Sequence, residues 1–223
     1  MRNVKLLLLL ASFSLFLFAC SNGSPVDNAG KEVSKEDTVV TVVTHGNYQE
    51  FDKENRLFDD AELVVIAETD TNFFDREHVV KYAEQDAAGA DLPQALEDFY
   101  TRTPIKILKV LKKPESASVI ENEEMNIIEP ISLIKEDTKS KILSIENYNE
   151  INEGEQYVLY LKQNAYGEYS VINMNNGRFS LDSDALKIQS LDHGHENDQD
   201  KHNEIKQAVE ERFKAEIEEV KNM

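Results

Sequence analysis

Tryptophan is absent from this 223-residue chain, proline occurs five times, glycine eight times and cysteine once. A lone Cys20 excludes any disulfide within the chain and any cysteine-based zinc cluster. Basic residues are scarce: 24 Lys and Arg stand against 43 Asp and Glu, a net charge of −19. Such a surface repels a polyanion instead of releasing its counterions, so nucleic acid is excluded as a partner. Attachment to anionic lipid through surface charge is excluded on the same ground. Sequence signatures of the common chemistries are missing too: there is no G-x-S-x-G, no H-E-x-x-H, no P-loop and no dinucleotide fingerprint. The chain therefore reads as a non-enzyme. With so many carboxylates, a pair such as Asp182 and Asp184 has no weight as an acid and base. Asp70-Thr71-Asn72 and Asp198-Gln199-Asp200 start like calcium loops but lack the glycine and the distal Glu.

One long hydrophobic run is present. Residues 6–19 are apolar apart from Ser12 and Ser14, and Arg2 and Lys5 precede them. Fourteen residues fall short of the roughly 20 that span a bilayer but suit the core of a secretory signal. The run ends in Leu17-Phe18-Ala19-Cys20. This resembles the lipobox of bacterial lipoproteins, with an aliphatic residue three before the cysteine and a small one directly before it. The resemblance implies diacylglycerol transfer to the Cys20 thiol, cleavage before Cys20, and anchoring to the outer face of the bacterial cell membrane. Two acyl chains give stable attachment where one is marginal. The alternative is an ordinary signal peptide with a chance cysteine. The sole cysteine favours lipidation, because a single free thiol is unusual in an exported protein. Loss of the signal, residues 1–19, takes Arg2 and Lys5 with it and moves the net charge to −21. Residues 20–37 contain almost nothing to bury and read as a disordered tether. Fully extended, residues 21–37 reach about 60 Å.

Residues 38–190 read as a β-domain. Residues 38–44, Thr-Val-Val-Thr-Val-Val-Thr, are β-branched throughout and predict a strand. Residues 63–67 and 157–161 are continuous apolar runs, the pattern of strands buried on both faces. Residues 57–60 read as a helical turn or loop. Between 72 and 100 the pattern predicts an insertion with a short helix, because residues 83–96 are rich in helix formers and Asp91-Leu92-Pro93 could start one. Residues 103–113 predict a strand ended by Pro114. Residues 125–134 alternate, with Pro130 requiring an edge or a bulge, and residues 140–145 could pair with them. Asn175-Asn176-Gly177 signals a tight hairpin between residues 169–174 and the strand containing Phe179 and Leu181. Residues 186–188 add a short last piece. The fold class is mainly β, α+β overall: a small OB-like antiparallel β-barrel with an inserted short helix and a C-terminal amphipathic helix.

The order of these segments carries a second resemblance. Residues 61–67 (AELVVIA), 100–112 (YTRTPIKILKVLK) and 154–161 (GEQYVLYL), followed by Tyr169 and Gly177-Arg178-Phe179, are similar to an exported bacterial domain of unassigned function. They also resemble the OB-type barrel of the netrin-like and tissue-inhibitor-of-metalloproteinase family, over residues 57–181. That family inhibits through an N-terminal cysteine on the protease zinc and is built on disulfides. Here the N-terminal cysteine is expected to be acylated and no disulfide is available. The resemblance therefore implies the fold and not the inhibition.

Residues 191–223 form a His/acidic linker and a C-terminal helix. Ile205, Val209, Phe213, Ile217 and Val220 fall within one helical stripe. A stripe this short favours packing on the barrel, with docking on a partner or self-pairing as the alternative. Ahead of it lies Asp192-His193-Gly194-His195-Glu196, with His202 nearby; three of the chain's five histidines fall in this stretch. Imidazoles beside carboxylates can ligate a divalent metal, so His193, His195 and His202 are the candidate metal ligands. No apolar shell surrounds them, and the bland reading is a solvated linker. His45 and His78 stand alone and read as structural or surface residues. Two functions follow. The first is a membrane-anchored, non-catalytic binding or interaction module for an envelope protein or small ligand, with no cofactor. The alternative is a divalent-metal-handling lipoprotein using residues 192–202.

Overall fold

The computed structural model describes residues 38–84, 94–135, 139–182 and 196–223. In chain order its elements are β1 (Thr38–Thr44), α1 (Glu54–Asp60), β2 (Leu63–Glu68), β3 (Glu77–Tyr82), β4 (Leu96–Lys112), β5 (Glu124–Glu129), β6 (Ile131–Lys135), β7 (Lys139–Ile145), β8 (Gln156–Gln163), β9 (Tyr169–Val171), β10 (Arg178–Ser180), α2 (Glu196–Arg212) and α3 (Lys214–Lys221). Short 3-10 turns occur at Phe73–Asp75 and Met174–Gly177.

Five strands close a barrel. β2 pairs with β4 and β8, β4 with β5, β5 with β9, and β9 with β8. Every pairing is antiparallel except the seam between β5 and β9, where Ile128 meets Ser170 in parallel. The expected mainly β, OB-like barrel with a short helix and a C-terminal helix is the architecture of the protein.

Period-2 alternation explains why two strands are apolar at every position. Along β2, Leu63, Val65 and Ala67 point into the barrel while Val64 and Ile66 point out. Along β8, Tyr157, Leu159 and Leu161 point in while Val158 and Tyr160 point out. The outward set is covered by α1, α2 and α3 through Leu57, Ile205, Val209, Phe213, Ile217 and Val220. The strands thus have a core on each face, as their composition predicts. The helical stripe packs on the barrel, and Ile205 and Val209 are 2% and 0% exposed. Helix α2 starts earlier than the stripe alone indicates, so His202 lies within it. Among the described residues, no helix is long and apolar enough to cross a membrane.

β4 is the spine. Its first half pairs with β3, through Arg102, and its second half with β2, from Lys106 onward. Pro104, which has no amide hydrogen to give, falls in the gap between those two partners. Pro130 has a similar role. It separates β5, in the barrel, from β6, which joins β7 and β1 in a second, three-stranded sheet of order β1-β7-β6. The predicted edge or bulge at Pro130 is therefore the point where the chain changes sheets.

Two local expectations are corrected. Part of the predicted insertion, residues 77–82, forms β3, antiparallel to β4, and the turn or loop expected at 57–60 is the end of helix α1, Glu54–Asp60. Residues 85–93 and 186–188 lie outside the described residues. The Asn175-Asn176-Gly177 hairpin is absent. β9 and β10 each pair with β8 and not with one another, and the chain between them makes a 3-10 turn with positive φ at Asn173 and Met174. Gly177 is needed for a different reason: a Cβ there would lie 1.7 Å from the carbonyl oxygen of Ile172. The Asn-Gly signal marked a glycine required by close backbone approach, which sequence alone does not distinguish from a turn glycine.

Candidate functional site

The most concentrated polar chemistry is inside the molecule. Glu129, at the end of β5, is 0% exposed. Its Oε1 lies 2.9 Å from Arg76 Nη1 and accepts from the Thr103 hydroxyl. Its Oε2 accepts from the Tyr148 hydroxyl at 3.0 Å and the Ile151 amide at 2.8 Å. Arg76 spends its remaining donors on the carbonyls of Thr71 and Ile151. Both carboxylate oxygens are occupied and no solvent reaches them, so this network ties loops to the barrel and offers no acid or base to a substrate. Burial, and then the Glu129 charge, hold the Tyr148 hydroxyl well above its ordinary value. Arg178 lies close by, stacked 5.0 Å from Tyr157 and 5.7 Å from Tyr148. Its Nε and Nη1 lack a hydrogen-bond partner, and the two ring faces offset part of that cost.

The open chemistry lies on the outer face of β3, β4 and β5. In the antiparallel register Glu77 faces Arg102, Val79 faces Tyr100 and Lys81 faces Asp98. All six are one set in the alternation, so opposite charges flank an aromatic on one face. Lys81 Nζ lies 3.3 Å from Asp98 Oδ2. Arg102 reaches Glu77 at 2.5 Å and Glu168 at 2.9 Å. The hydrogen bond to Asp98 raises the Lys81 pKa, and those to Glu168 and then Glu77 raise that of Arg102.

The turn between β8 and β9 completes this face. Asn164 Oδ1 accepts from the amides of Tyr166 at 2.9 Å and Glu168 at 3.0 Å, and Gly167 takes a φ of +81°. The tight turn displays Tyr166, which is 82% exposed. The Lys81 ammonium lies 5.3 Å from the Tyr100 ring centre and 5.8 Å from that of Tyr166, a cation shared by two rings. Below lies a groove of about 210 Å³ walled by Phe99, Tyr100, Ile128, Pro130, Tyr166 and Val171, with Asp98, Asn164, Glu168 and Ser170 at its polar margins. Aromatic faces beside carboxylate, amide and hydroxyl groups can hold an apolar or sugar-like surface while fixing its orientation. OB-type barrels bind ligands across their second and third strands and the adjoining loops. Those correspond here to β4, β5, the β3 hairpin and the 164–167 turn.

The predicted site residues fall elsewhere. Cys20, His193 and His195 lie outside the described residues. His202 is 4% exposed on α2, its ring stacked at 5.1 Å on Phe179 and its Nδ1 3.1 Å from Asn176 Oδ1. Burial, then the charges of Arg178 and Lys206, push its pKa down to about 4. Among the described residues, no group of three or more His, Cys, Asp or Glu side chains could hold a metal ion. His45 is a surface residue, 3.1 Å from Glu146. His78 is structural: its Nε2 donates to the Phe73 carbonyl at 2.8 Å and its Nδ1 accepts from the Leu133 amide at 3.2 Å.

Sequence reasoning missed Lys81, Tyr100 and Tyr166, which lie far apart in the chain. The one readable signal was the Glu-x-Val-x-Lys alternation at residues 77–81, hidden by the helix expected just beyond it. No family model and no curated protein matches the chain.

Proposed function

We propose that this protein is a lipid-anchored, non-catalytic binding module of the bacterial envelope whose ligand lies across the Tyr100–Tyr166 face of the barrel. The observation that carries the reading is Tyr166 itself: a tight, internally bonded turn holds a large aromatic ring 82% exposed beside a second ring and a groove. Ordered exposure of an aromatic is what a recognition surface requires, because little entropy is lost when the ligand arrives. The anchor rests on Leu17-Phe18-Ala19-Cys20 and its signal-like surroundings. Residues 21–37 then give the barrel reach from the bilayer. The non-catalytic reading rests on the sequence, which has none of the signatures of the common enzyme chemistries. The five-strand ring with helices on one side also agrees with the netrin-like resemblance, taken as a likeness of fold.

The test is capture of envelope components on the immobilised full chain, compared with a Tyr100→Ala/Tyr166→Ala variant. A component retained by the first and lost by the second supports the reading. Equal retention by both removes the face from it.

A further inference from the structure

We propose that β1 is a self-pairing edge and that two copies of the chain associate through it, antiparallel, about a two-fold axis at Thr41. β1 pairs in parallel with β7 on one side, and among the described residues no strand pairs with its other side. Its backbone donors and acceptors on that side are therefore an open template for another strand. Natural edges are normally guarded by charge, proline or a bulge. β1 has none of the three: it is Thr-Val-Val-Thr-Val-Val-Thr, in unbroken register with β7. Val39, Val40 and Val42 are 43%, 46% and 40% exposed.

The occupant is named by the sequence, which reads the same in both directions. Antiparallel pairing of two copies about Thr41 sets Thr41 against Thr41, Val40 against Val42, Val39 against Val43 and Thr38 against Thr44. Every cross-strand pair is then β-branched against β-branched and Thr against Thr, the combinations that stabilise a ladder. A two-fold contact of this kind is closed, so it makes a dimer and not a fibre. The far side of the sheet is already engaged: the Leu133 amide donates to His78, and the Ser132 hydroxyl donates to the Val79 carbonyl.

Charge agrees with this choice. None of the 43 acidic residues lies in β1, β6 or β7, whereas Lys135, Lys139 and Lys141 do. In a molecule of charge −19, the seam therefore sets no carboxylate of these strands against its own copy. Seven paired residues are a small contact beside the roughly 800 Å² per partner of a standard interface. The dimer is accordingly weak and concentration-dependent.

Cross-linking of the purified full chain under mild oxidation tests the register. Opposed residues in such a ladder stand about 4.5–5.5 Å apart between Cα atoms, within disulfide reach, while diagonal neighbours stand about 7–8 Å apart. In a Cys20→Ser background, which has no other cysteine, Thr41→Cys is expected to link to itself well above the background chain. Val40→Cys and Val42→Cys alone are expected to stay at that background, yet to link when mixed. Adding Val39→Lys to Thr41→Cys should abolish the link without loss of the folded signal, because residue 39 is exposed. Efficient self-linking at 40 and 42 would show parallel pairing and overturn the proposal. So would background linking at all three positions, which would leave the edge to a different partner.

Discussion

Arg76 Nη1 lies 2.9 Å from Glu129 Oε1, with both side chains shielded completely from water. The pair joins the segment before β3 to the end of β5, and Thr103, Tyr148 and Ile151 satisfy what remains of the carboxylate. Removing one partner leaves a buried charge without compensation. Arg76→Ala is therefore expected to cost about 3–5 kcal/mol in denaturant unfolding. A loss below about 1 kcal/mol, the worth of an exposed pair, would contradict the assigned burial.

Gly177 sits against Ile172 and not in a positive-φ turn. Even Gly177→Ala should then destabilise the protein, by about 1–3 kcal/mol through overpacking against rigid backbone. Full stability of the alanine variant in a thermal melt would show that the backbone gives way at little cost.

His202 links stability to pH. Its folded pKa is lowered, to about 4 from 6.5, so the folded state prefers the neutral ring. The stabilisation is complete above about pH 6.5 and is lost as pH falls toward 4, where the folded state also takes up the proton. The full shift corresponds to roughly 3 kcal/mol as an order of magnitude. His78, also lowered by burial, acts in the same direction. His202→Phe should flatten the acid side of the stability curve, measured by urea unfolding between pH 7 and 4. An unchanged slope would mean that the ring is not held neutral at the helix–barrel contact.

The large features of this fold were legible because they follow from patterning. Two strands apolar at every position required a cover on both faces, and the stripe from Ile205 to Val220 supplied a helix able to cover one of them. Pro130 was readable as a break in pairing. The β3 hairpin was not, because its partner residues Tyr100 and Arg102 are revealed only by register. The proposed binding face was hidden for the same reason: Lys81, Tyr100 and Tyr166 become neighbours through β3–β4 pairing and the β8–β9 turn. His202 misled in the other direction. Its acidic neighbourhood in sequence gives way to a ring stacked on Phe179 once α2 packs.

The anchor has its own test. Fatty-acid labelling of the full chain in a lipoprotein-processing bacterium should mark the wild type and not Cys20→Ala, which should also leave the membrane fraction or stay unprocessed. Label that persists in Cys20→Ala would remove the anchor.

The most direct measurement of the proposed function is amide NMR mapping of the isotope-labelled chain during titration with fractionated envelope material. The account predicts saturable shifts confined to residues 77–82, 96–102 and 164–170, and their loss in Tyr100→Ala/Tyr166→Ala. Saturable shifts centred on another surface, or shifts that survive the double substitution, would contradict it.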